Sequence, residues 1–191
     1  MTNTEVLRES VMDMLGVEQH ILRSLERQMG DERVRSFQSA YELLRKIESV
    51  LNSHIILLQR HLAVLNGGGV ESRLKKAASS IMDTVSGIYG KLRSDEPVAR
   101  DLRGDYTALQ LACISYSMLH TSALAVRDAE TAAMADRHLT ELTPLAVQLG
   151  NIIPFVFAKE LVDEGKTQDA TVAQEAVSSL RKAWSNEATH T

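Results

Sequence analysis

The sequence predicts an all-α fold, a bundle of four long helices arranged as two antiparallel hairpins. Three observations predict it. Apolar residues recur in steps of three and four along most of the chain, the period of a helix with one buried face. Only 3 prolines and 10 glycines interrupt 191 residues. The strong breaks fall so as to leave four segments long enough to be bundle helices, and no segment alternates as a strand would.

The first helix is expected to begin near Thr4, an N-cap with Glu5 in the first turn. Its seam is Leu7, Val11, Met14, Glu18, Ile21, Leu25 and Gln28. Gly30 stops it and Asp31 caps the second helix, which must double back beside the first. That second helix, Arg33 to Asn66, organises the chain. Val34, Phe37, Tyr41, Leu44, Glu48, Leu51, Ile55, Leu58, Leu62 and Leu65 form one row, and Leu43, Ile47, Val50, His54, Leu57, His61 and Val64 form another beside it. At about 1.5 Å per residue its length is roughly 50 Å. Two rows make a stripe wide enough for more than one partner.

Asn66-Gly67-Gly68-Gly69 ends that helix. The connection to the third helix carries an amphipathic segment, Val70 to Leu92, with the row Leu74, Ala78, Ile81, Val85, Ile88 and Leu92. Ser94-Asp95-Glu96-Pro97 starts the third helix, expected over Pro97 to Val126 with Leu102, Tyr106, Leu109, Cys113, Tyr116, His120 and Ala123 on its seam. Arg127-Asp128 is the break, and Asp128 caps the fourth helix. Its seam reads Ala132, Ala135, Leu139, Leu142, Ala146, Leu149, Ile153 and Val156, and Gly165 closes it. Pro144 and Pro154 fall inside it, and each should bend or split it. Residues 1–165 therefore read as one helical bundle. Residues 166–191 read as a polar tail with one helical patch, Val172 to Trp184, that docks through Trp184. A connection of this length lets the third helix start at the end of the bundle where the second started, which is the one-crossover, ferritin-like arrangement.

Bulk composition narrows the function. Hydrophobic residues are 44% and charged residues 24%, ordinary for a globular protein. The net charge is −4 with the basic residues scattered, so no nucleic-acid partner is expected. Cys113 lies in an apolar run and reads as a small buried hydrophobe. One cysteine makes no internal disulfide, and no secretory signal or run of about 18 apolar residues is visible, so the expectation is a cytoplasmic protein without a membrane partner. The surplus apolar row on the second helix, with Ile56, Leu57 and Val64, leads to the expectation of a homodimer, with any other protein partner undefined.

The polar groups on the seams are the only candidates for chemistry. Bundles of this topology hold paired metal ions with a Glu from each of two helices and a Glu-x-x-His pair from each of the others. The single Glu-x-x-His match is Glu187–His190, in the polar tail. Glu18 and Glu48 occupy seam positions, and in an antiparallel pair they fall within roughly 8 Å along the axis. A carboxylate on an apolar seam needs a partner, and a metal or a neighbouring His can supply one. His138 and Glu141 form a His-x-x-Glu pair on the fourth helix, more in the manner of a boundary pair than of a site. His54, His120 and His138 fall at similar heights and form a weak cluster.

Several stretches are similar to one bacterial family, the small stress-associated ferritin-like proteins of the YciE/YciF type. Asp13 to Leu22 with Glu18, Asp31-Glu32-Arg33-Val34, Phe37-Gln38-Ser39, and His54 through Leu65 before the glycines resemble its first two helices. Pro97-Val98-Ala99-Arg100-Asp101, Ser115-Tyr116 and His138-Leu139-Thr140-Glu141 resemble its last two. The resemblance spans about residues 4 to 160 and implies the fold, a stress-linked role, and Glu18, His54 and Glu141 as surviving ligands. Gln110 and Ala112 stand where the family has a His and a Glu, and Ser49, Val50 and Leu51 replace its acidic run. A two-metal centre lacking those anionic ligands holds its ions poorly. The leading expectation is therefore a non-enzymatic bundle with a degenerate metal site and no cofactor. The alternative is a reduced site for iron or manganese built on Glu18, Glu48, His54 and Glu141, with His120 and His138 as further candidates. A third is a helical module that dimerises or docks a partner.

Overall fold

The computed structural model describes residues 3–66, 97–167, 169 and 171–187. Among them the chain forms six helices: α1 (Asn3–Met29), α2 (Glu32–Ser36), α3 (Gln38–Leu65), α4 (Val98–Ala125), α5 (Ala129–Asp163) and α6 (Val172–Glu187). The all-α bundle read from the sequence is the fold. Helix α1 packs on α3 and α4, and α5 packs on the same two, so the four long helices close a square around one core. The core is aliphatic, with Leu7, Met14, Ile21, Leu25, Leu44, Leu51, Leu102 and Leu109 among its fully enclosed side chains. The amphipathic segment Val70 to Leu92 lies outside the described residues, as does His190 of the tail pair Glu187–His190.

Local chemistry sets the turns. Asp31 accepts a hydrogen bond from the Arg33 backbone N–H and caps α2. The second long helix does not run unbroken from Arg33. It breaks at Phe37, which leaves the helical region (φ −96°, ψ 76°) while its ring packs against the edge of the core. Asp128 caps α5 through the Thr131 N–H. Pro97 has no side chain that could cap α4, and the cap comes from another helix: Glu160 of α5 accepts from the Val98 and Ala99 N–H groups. Arg127 turns the chain between α4 and α5 with φ 61°, the left-handed region.

Of the two outcomes expected at Pro144 and Pro154, a bend or a split, the split does not occur: α5 is one helix of 35 residues. Pro144 and Thr140, the residue whose carbonyl loses its donor, are both exposed, so water can satisfy that group. The same helix is also apolar enough to cross a bilayer by length and composition, with a window of mean hydropathy 1.4, although no such run was expected. Here α5 is packed on three other helices, α3, α4 and α6. The tail docks through α6 with Ala173 and Val177 buried and Trp184 stacked on Tyr106, ring planes 8° apart.

Candidate metal centre

Four helices each deliver a polar side chain to one point in the core. Glu18 (α1), His54 (α3), Tyr116 (α4) and His138 (α5) are all fully buried. Each stands in a row of apolar residues that faces inward, so the packing that buries the row carries the polar group with it. The bundle thus assembles the cluster from positions as far apart in the chain as 18 and 138.

The hydrogen bonds define its proton inventory. The Tyr116 hydroxyl donates to Glu18 Oε1 at 2.8 Å. With its hydrogen spent, the phenol oxygen accepts from His138 Nδ1–H at 2.9 Å. His138 is then the Nδ1–H tautomer, and its Nε2 lone pair is buried with no partner. His54 lies between two carboxylates, Nδ1 at 2.9 Å from Glu18 Oε1 and Nε2 at 2.8 Å from Glu141 Oε2. With Glu18 and Glu141 both ionised, both ring nitrogens carry hydrogen, which makes His54 an imidazolium. Glu141 is half-buried at the edge and also accepts from Arg137 Nε at 2.9 Å.

Electrostatics follow this arrangement. Burial alone would lower the His54 pKa, but the hydrogen bonds and charges of Glu18 and then Glu141 outweigh it and raise it. Burial pushes His138 the other way, down to about 3, with the His54 charge adding to the effect. Burial raises Glu18 against the opposing pull of His54 and Tyr116. The Tyr116 phenol is also pushed well up, by burial first and then by the Glu18 charge. Arg137 holds Glu141 below the usual carboxylate range, and His54 adds to this.

Glu18, His54 and His138 each offer a ligand atom within 4.8 Å of the others. One carboxylate and two imidazoles suit a divalent first-row ion such as iron, manganese or zinc, and Glu141 can add a second negative charge. Besides His138 Nε2, Glu18 Oε2 is buried without a partner, and an ion is one group that would satisfy such atoms. One feature opposes the fit. The His54 and His138 rings are stacked, with centroids 3.7 Å apart and planes 2° apart. An imidazole binds an ion along its own plane, so parallel rings cannot both reach one ion. The residues fit a metal once one ring turns and His54 gives up the proton and the carboxylate contact on one of its ring nitrogens.

The remaining candidates stand elsewhere. Glu48 is not buried on the seam; it is half-buried beside Arg45, 4.0 Å from Nε. His120 is half-buried and its Nδ1–H donates to the Ala132 carbonyl at 2.9 Å. His138 is a full member of the cluster and not a boundary residue. The sequence reading put Tyr116 in the core but gave it no part in the site. It also gave none to a second buried network, in which Gln28 donates to Asp105 at 2.9 Å and to Ser24 at 3.3 Å. Neither a protein-family model, nor a curated protein, nor a solved structure matches the chain.

Proposed function

We propose that this protein binds one divalent transition-metal ion in the core of its bundle. Glu18, His54 and His138 are the ligands and Glu141 is the outer carboxylate. The observation that carries the reading is the pair of buried atoms without partners, Glu18 Oε2 and His138 Nε2, in a cluster whose other polar atoms are satisfied. Leaving a buried polar atom unpaired costs on the order of 1–3 kcal/mol, and a ligand that engages both removes that cost. The reading keeps the ferritin-like kinship implied by the sequence, with iron or manganese as its ions, but with one ion in place of two. When bound, such an ion supplies Lewis-acid or redox chemistry. The chain itself contributes a buried, four-sided enclosure and a phenol that fixes the Glu18 and His138 orientations.

The stacked imidazoles favour a second reading, in which the cluster is a metal-free polar network and the site is degenerate. Metal analysis separates the two. Untagged protein, stripped with chelator and titrated with Fe(II), Mn(II) or Zn(II), should retain close to one equivalent through dialysis and lose it in Glu18→Gln and His138→Ala. Retention of no ion by the folded wild-type chain would overturn the metal reading and leave the polar network.

A further inference from the structure

Helix α6 lies along the outer side of α4 and α5, and it is held there lightly. It packs on α5, and Trp184 reaches across to Tyr106 of α4. Its inward row is Ala173, Val177, Leu180 and Trp184; the first two are buried and the last two half-buried. Ala173, Val177 and Ala158 are buried apart from the main core, which closes among α1 to α5. An exposed hydrogen bond from Arg181 Nε to Asn151 Oδ1, at 2.9 Å, links α6 to α5. The surface beneath is built to be covered. Helix α5 has no Asp, Glu, Lys or Arg from Leu142 to Ala158, and α4 has none from Tyr106 to Val126. Gly150 leaves room for the Trp184 ring. Val147 and Phe157, on the same side of α5 as Gly150, stay exposed with α6 in place.

The row of α6 has the spacing i, i+4, i+7 and i+11. That is how an amphipathic helix is read when it docks in the apolar groove of a separate protein. Here helix and groove belong to one chain, joined by residues 164–171. A tether this short gives an effective concentration on the order of millimolar, so weak anchoring keeps the groove filled. We propose that the α4–α5 groove is a helix-binding site that α6 fills in cis as a releasable clasp. Its ligand in trans is an amphipathic helix with the α6 pattern, Ala and Val at the first two anchors and an aromatic ring at the last. The bundle keeps its fold when α6 leaves. None of this depends on the metal reading.

The test uses the full chain carrying Val177→Asp and Trp184→Ala, which takes its own clasp out of the groove. Both changes lie on α6, outside the main core, so helicity should stay close to that of the wild type. The variant has no tryptophan, because Trp184 is the only one in the sequence. A synthetic peptide of residues 171–187 then carries the only reporter. Its Trp184 emission should shift to the blue and saturate as the variant is added. The same peptide with Val177→Asp should bind roughly tenfold or more weakly, since a carboxylate would enter the apolar seat. Hydrogen exchange of the wild-type chain tests release without any substitution. The Val177 and Leu180 amides should exchange roughly tenfold or more faster than those of Leu109 and Leu149, by local opening. No saturable shift with a folded variant, equal binding of the two peptides, or exchange of α6 at the rate of the core would each overturn the proposal.

Discussion

His54 and His138 are stacked on each other yet are held in opposite protonation states, and this sets how the protein responds to pH. His138 binds its proton only near pH 3, whereas an unfolded histidine binds one near 6.5. Below 6.5 the unfolded chain therefore takes up a proton that the folded chain refuses. The interval corresponds to on the order of 5 kcal/mol of stability, fully present above pH 6.5 and lost as the pH falls toward 3. His54 works in the opposite direction. Its raised pKa gives stability that is complete below 6.5 and is lost as the pH rises through the folded value. Glu18, raised above 4.5, also loses ground as the pH rises past that value, so it makes the acid limb shallower there. Stability should peak near neutral pH. Denaturation midpoints of chelator-treated protein from pH 4 to 8 should show this peak, and His138→Phe, which keeps a flat ring on His54, should flatten the acid side. An unchanged acid limb in that variant would assign it to another group. Much of this site was legible in the sequence. Glu18 and His54 stood on or beside a seam because their helices are strongly patterned, and Glu141 stood among the ligands that the family resemblance implied. His138 was discounted because Leu139 next to it is the more apolar residue and drew the seam to itself. One residue is 100° of rotation in a helix. That step separates a half-buried Leu139 from a buried His138.

Helix boundaries were legible wherever a side chain or a glycine makes the cap locally. Asp31 and Asp128 cap their own helices, and Gly165 takes φ 70° at the end of α5. The cap of α4 was not legible, because Glu160 reaches it from about 60 residues away in the chain and no local pattern announces a tertiary cap. The docking of α6 was legible in part, since Trp184 marked a residue with much to gain from burial. Its seat was not visible in the sequence. A Cβ at Gly150 would stand 3.0 Å from Trp184 and 3.1 Å from Tyr106, so α5 gives α6 its place by having no side chain there. Two effects compete in Gly150→Ala. Alanine is favoured over glycine in a helix by about 1 kcal/mol. Crowding two packed aromatic rings costs about 1–3 kcal/mol, and a Cβ here meets both rings at once, so relief needs both to shift. Crowding should win. The variant should lower the melting temperature and shift the Trp184 emission to the red as α6 lifts. A higher melting temperature with unchanged emission would mean that the rings adjust freely.

At the scale of the molecule the expected homodimer becomes a prediction about which surface would meet a second copy. The sequence pointed to the second long helix, but its exposed apolar residues Ile56 and Val64 are separated along the helix by exposed, charged Arg60. A stronger candidate is α4. From Tyr106 to Val126 the chain has no Asp, Glu, Lys or Arg, although one face of that stretch meets solvent. Ile114 is 57% and Met118 66% exposed, one turn apart on the same face. Beside them lies a groove of about 270 Å³ between α1 and α4, formed in part by Leu111, Met14 and Val17. Charged residues are depleted at the centres of protein interfaces and methionine is enriched there, whereas solvent-facing helices are ordinarily rich in charge. We therefore expect a two-fold homodimer through α4. Sedimentation at micromolar concentration should give twice the 21.1 kDa chain mass. Met118→Lys should return the monomer without loss of helicity, because the side chain it replaces is exposed. Ile56→Lys on α3 should leave the dimer intact. If Ile56→Lys dissociates the dimer and Met118→Lys does not, the contact belongs to α3, and the uncharged face of α4 has another occupant.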